Sequence, residues 1–224
     1  VDLGGRLIIK KGYPAGTYYG TGTYNLSGAS ASSILSVGGS LVVGQGGTGT
    51  FNQSGGTLTV TGGIVNNGNL NYSGGELNGN ITNNANFNIS GGGTRTVNGD
   101  VTNSGTVKVS LTTAVFTGVF TNTGAYISDP SKSYFNHLII DLNGFLVGGF
   151  GDEFYISGDF LNDSQNNSWN TQDADLFFTG TGTHTFHLSS FGKANKWDTL
   201  SLLDGAILDL IGDAGSGLYF DEIL

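Results

Sequence analysis

The residues of this chain that could do chemistry are its carboxylates and its three histidines. Asp173 and Asp175 stand two apart, which on an extended strand turns both side chains to one face. Two carboxylates flanking a glycosidic bond are what sugar hydrolysis requires. Asp152, Glu153, Asp159 and Asp163 lie in neighbouring sequence and could line a cleft with them. The same acids also read as the polar outer surface of acidic strands. Elimination on a uronate needs basic groups, and residues 126–224 hold only Lys132, Lys193 and Lys196.

His184 and His187 are three apart, so a regular strand sends them to opposite faces, and His137 is distant in sequence. Calcium is the better candidate cation, because Asp141, Asn143, Asp173, Asp175, Asp209 and Asp213 offer hard oxygen ligands. None of these belongs to a twelve-residue EF-hand loop. No other cofactor is expected: the glycine-rich run Gly44–Gly49 has no lysine after it to hold a phosphate. Trp169 and Trp197 offer rings for stacking on sugars. Trp197 reads more readily as packing against an apolar strand or cap, and 164–170 as an exposed loop.

The elements that must position these groups are strands. Gly is 40 of 224 residues and only 11% are charged, yet there are 14 Phe and 9 Tyr. A disordered chain is charged and poor in aromatics, so this one folds. Four segments align: TGGIVNNGNLNY (61–72), NGNITNNANFNI (78–89), NGDVTNSGTVKV (98–109) and TGVFTNTGAYI (117–127). Their anchors are Ile64, Ile81, Val101 and Phe120, then Leu70, Phe87, Val107 and Tyr126. Apolar residues alternate around them, the period of a strand with one buried face.

Short strands recurring every 17–20 residues, between Asn-Gly and Gly-Gly turns, predict an all-β right-handed single-stranded parallel β-helix. Asn columns are expected to stack their amides. The alternative is a stack of antiparallel β-hairpins, since NNG also resembles a hairpin turn. The phrase TGTFNQSG (48–55) repeats TGTYNLSG (21–28) at an offset of 27. The shorter spacing is the better measure of one coil, with an inserted turn around Ala29 to Ser33.

Residues 1–125 hold 5 basic and 3 acidic groups (+2) and residues 126–224 hold 3 and 14 (−11), together −9. We expect regular Gly/Asn-rich coils over 1–125 and less regular acidic coils over 126–224, as a fragment of a longer chain. Nucleic acid is excluded as a partner, because binding it takes a basic stripe. No apolar run approaches the ~18 residues of a membrane helix. With no Cys, there is neither disulfide nor thiolate.

SVGGSLVVGQGGTGTFNQSGGTLTV (36–60) resembles the strand repeats of bacterial secreted surface proteins. These include autotransporter-associated repeats and relatives bearing C-terminal sorting signals, and the resemblance spans roughly residues 20–125. It implies a parallel β-helix outside the cell or on its surface. It also implies a structural or adhesive role, with other copies, other surface components or glycans as partners. The competing expectation is an enzyme that binds or degrades polysaccharide, with Asp173 and Asp175 as its acids.

Overall fold

The computed structural model describes residues 1–11, 20–29, 32–212 and 216–223. Apart from one short 3₁₀ turn at Gly192–Asn195, the described elements are strands, and all their pairings are parallel. The chain is a right-handed parallel β-solenoid, which disposes of the antiparallel hairpin alternative. The reason lies in the register. Ile64 pairs with Ile81, Ile81 with Val101 and Val101 with Phe120, so each anchor bonds to its equivalent one coil on. Leu70, Phe87, Val107 and Tyr126 form the second expected column.

The coils build three ladders. The first runs from Asp2–Leu3 through Thr94–Asn98 to Tyr219–Ile223. The second runs from Leu7–Lys11 through Ile81–Asn83 to Ala206–Gly212. The third runs from Thr21–Leu26 through Asn86–Ile89 to Phe145–Val147, where Val147 bridges to Asn170. The ladders cross Tyr126 without a break, since the strand Ala125–Asp129 pairs with strands on both sides.

Coil length varies while the ladders persist. Thr21–Leu26 pairs residue for residue with Thr48–Gln53, so the offset of 27 is itself a coil. It falls to 23 at Ile34↔Thr57 because the chain between Leu26 and Ile34 is longer than that between Gln53 and Thr57. The expected turn at Ala29 to Ser33 sits there, with residues 30–31 outside the described part. The offset reaches 17 at Ile64↔Ile81 and opens to 26 at Phe160↔Phe186.

Narrow and wide coils alike place large rings inside, because interiors pack without voids. The narrow coils combine Leu58, Leu77, Val97 and Val101 with the rings of Phe51, Tyr72 and Phe87, all buried. The wide ones use Phe154, Phe160, Trp169 and Trp197. The two indoles meet edge to face, 6.3 Å apart. Phe160 and Phe186 stack at 4.7 Å and 7°.

One inward column is polar. Asn66, Asn83, Asn103 and Asn122 are all fully buried on the second ladder. Each side-chain amide donates to the Oδ1 of the next, at 2.6, 2.6 and 2.7 Å. Backbone carbonyls take further amide protons, as Ala125 O does from Asn103 at 2.9 Å. A buried polar group is tolerated only when its bonds are made, and a connected file of them fixes which coil sits on which. A second file, Asn25–Asn52–Asn71–Asn88, runs along the outer face of the third ladder with bonds of 2.7, 2.7 and 2.8 Å.

Candidate functional site

The chemistry-bearing side chains gather on the outer face of the first ladder, across the strands Lys132–Ile140, Glu153–Ile156, Asp175–Phe178 and Lys196–Leu202. Alternation sends Phe154, Ile156, Leu176 and Phe178 inward, and leaves Glu153, Tyr155, Asp175 and Phe177 outward. In-register stacking then lines up equivalents coil by coil. Lys132, Glu153 and Asp175 form one column, and Val115, Tyr134, Tyr155 and Phe177 form the next.

The charged column is internally paired. Lys132 Nζ lies 2.7 Å from Glu153 Oε2, and the Tyr155 hydroxyl donates to the same oxygen at 2.5 Å. Partial burial pushes the Glu153 carboxyl up, but the bonds from Lys132 and Tyr155, with the ammonium charge, outweigh it and hold it below its usual range. The Glu153 bond raises Lys132 in turn. Burial first, and the Glu153 carboxylate second, push the Tyr155 phenol upward, so it remains a donor. Asp175 accepts from Thr199 Oγ1 at 2.6 Å.

Asp173 and Asp175 do not share this arrangement. Asp173 lies ahead of the strand, in a turn closed by Ala174 N donating to Thr171 O at 3.1 Å, so strand alternation does not govern it. It lines a separate cavity of about 560 Å³ with Gln172, Lys196, Tyr219 and Asp221. The other neighbouring acids are also dispersed. Asp152 is buried and accepts from the backbone amides of Ser131 and Gly149, both at 2.8 Å, so it serves a corner. Asp159 lies 3.6 Å from His137, and Asp163 lies 3.1 Å from His187.

The candidate calcium ligands fall in different places. Asp141 closes its own turn, accepting from Leu142 N at 2.7 Å, and the Asn143 carbonyl accepts from Asn166. Asp209 faces outward on the second ladder opposite Thr185. Asp213 lies outside the described residues. Among the described residues no three His, Asp or Glu side chains come together as a metal cluster. His184 and His187 do take opposite faces: His184 is buried and His187 points out to Asp163.

The structure corrects the sugar-stacking expectation for Trp169 and bears out the packing expectation for Trp197. Trp169 is fully buried and donates through Nε1 to Thr171 Oγ1 at 2.7 Å, so 164–170 is a loop pinned to the core at Ser164 and Trp169, with Gln165, Asn167, Ser168 and Asn170 exposed as expected. Trp197 is buried against Phe154 and Phe160. Neither ring is open to a sugar.

The aromatic column was not singled out from the sequence. Tyr134 and Tyr155 stack at 4.2 Å and 4°, and Tyr155 and Phe177 at 4.5 Å and 11°. Beside it runs a furrow of about 420 Å³ whose other side carries Thr117, Asn136, Ser157 and Thr179. The signal was present as four triplets, VFT (115–117), YFN (134–136), YIS (155–157) and FFT (177–179): outward, core, outward polar. Among the described residues, no helix is long and apolar enough to cross a membrane. No family model, no curated protein and no solved structure matches this chain.

Proposed function

We propose that the protein is an extracellular structural or adhesive surface protein, a rigid rod that works without catalysis and packs with other copies or surface components. The observation that carries this reading is the continuous interior, in which apolar columns and the buried Asn66–Asn122 file tie successive coils together. Such a core resists bending and separation along its whole length. The resemblance of residues 36–60 to bacterial surface-protein repeats supports the location. The engagement of Glu153 by Lys132 and of Asp175 by Thr199 supports a non-catalytic role, since neither acid is left poised for proton transfer.

The test is antibody labelling of intact cells that produce the protein, followed by external protease. Labelling that the protease removes is the expected result. Labelling only after the cells are permeabilised would overturn the reading. Glycan cleavage by the purified protein that disappears on Asp175→Asn would replace the rod with an enzyme.

A further inference from the structure

We propose that the furrow on the outer face of the first ladder binds an uncharged, linear carbohydrate chain lying along the solenoid axis. The proposal deepens the adhesive reading above by naming a partner class, and it rests on that outer face being open to solvent.

The furrow has two unlike sides. One is apolar: Val115 and the half-buried rings of Tyr134 and Tyr155 line it, the Tyr155 hydroxyl is occupied by Glu153, and Phe177 continues the stack beyond the lining. The other is a row of short polar side chains, one per coil. Thr117 Oγ1 donates to Val97 O and Ser157 Oγ to Phe135 O, both at 3.3 Å. Asn136 Nδ2 donates to Thr117 O at 3.2 Å. The Thr117 and Ser157 hydroxyl protons are committed to the backbone and leave acceptor oxygens, while the second amide proton of Asn136 remains a donor. Groups that both donate and accept along one edge, with C–H surface along the other, match this furrow, and that is the amphipathy of a sugar ring.

Charge narrows the class. The furrow is lined by Val, Phe, Thr, Tyr, Asn and Ser, with no Lys, Arg, Asp or Glu. The nearest cation, Lys132, is bound to Glu153, and residues 126–224 carry a net −11 from 3 basic and 14 acidic groups. A uronate, sulfated or phosphorylated chain would find no partner and a repulsive field. An added peptide strand needs free backbone groups, and those of this face are already used between coils. Spacing favours a polymer, because the polar row repeats at the inter-strand distance of about 4.8 Å, close to the advance of an extended sugar chain per ring. The rings cover one another's faces, so they contact the chain through their edges.

The experiment titrates the intact protein with neutral linear hexasaccharides (glucan, mannan and xylan) and with hexagalacturonate, following backbone amide NMR shifts. The expected result is saturable binding of at least one neutral chain, with shifts confined to 115–117, 134–136, 155–157 and 177–179. Ser157→Trp, which fills the furrow, should weaken that binding at least tenfold with an unchanged unfolding midpoint. Should that variant unfold, Thr117→Gln blocks the other end of the row and carries the same expectation. No neutral binding, binding insensitive to the filling variant, or preferred binding of hexagalacturonate would overturn the proposal. A surface-exposed protein that binds none of the sugars would defeat this inference alone. A sugar-binding protein found inside the producing cell would defeat the function proposed above and leave the furrow standing.

Discussion

Asn83 donates its side-chain amide to Asn103 Oδ1 at 2.6 Å, across twenty residues of sequence and one coil of structure, with both side chains fully buried. Asn103 passes the same bond to Asn122. Asn103→Ala orphans the acceptor on Asn122 and a donor on Asn83, so it should cost about 2–3 kcal/mol in urea unfolding. Asn52→Ala, in the solvent-facing file, leaves groups that water can satisfy and should cost less than about 1 kcal/mol. Equal losses at the two positions would show that burial of the inner file contributes nothing special.

Asp152 holds a corner through both of its oxygens, one on Ser131 N and one on Gly149 N. Asp152→Ala leaves two amides without acceptors inside the protein and should cost about 3 kcal/mol. Hydrogen exchange gives the local signature: the amide protons of Ser131 and Gly149 should lose protection before those of neighbouring strands.

Two glycines separate crowding from backbone strain. Gly75 has φ +87, and a Cβ there would lie 2.1 Å from the Gly56 carbonyl oxygen in the coil below. Gly93 has φ +63 with nothing within 4 Å of its Cβ position. Gly93→Ala should cost about 1–2 kcal/mol, the strain of a left-handed residue alone. Gly75→Ala adds the clash and should cost clearly more, read as a larger drop in the thermal midpoint.

The Lys132–Glu153 pair sets a pH dependence with a definite sign. Glu153 is held below its usual range, so its contribution is complete above the unfolded value of about 4.3 and is lost as pH falls through the lower folded value. Lys132 is raised, so its share is present below about 10.4 and is lost as pH rises through the folded value. Glu153→Gln should therefore lower stability at neutral pH by less than about 1 kcal/mol, because the pair is partly exposed. The difference from the unsubstituted protein should vanish in strong acid. Urea midpoints across the acid range measure it, and a constant offset at every pH would contradict the assignment.

The regular coils were legible because each repeats the same demands. An apolar anchor at Ile64, Ile81, Val101 and Phe120 fills the same slot, and the following Asn66, Asn83, Asn103 and Asn122 fill another. Alternation told strand from helix, and recurrence told coil from hairpin. Trp169 was misread because its polar neighbours describe the loop and not the tertiary gap that one large ring fills. The aromatic stripe was missed for a related reason. Tyr134, Tyr155 and Phe177 are 21 and 22 residues apart, and only the register shows that they touch. Asp173 and Asp175 looked like a pair because alternation was applied across a turn where it does not hold.

The two asparagine files have opposite senses. Inside, each amide donates forward, from Asn66 to Asn83 to Asn103 to Asn122. Outside, each donates backward, from Asn88 to Asn71 to Asn52 to Asn25. An α-helix accumulates an electrical polarity because all its peptide dipoles point one way. Here the surface amides, those of Asn84, Asn86 and Asn98 among them, point against the core file, so the rod's side chains share no single direction of the kind a helix has.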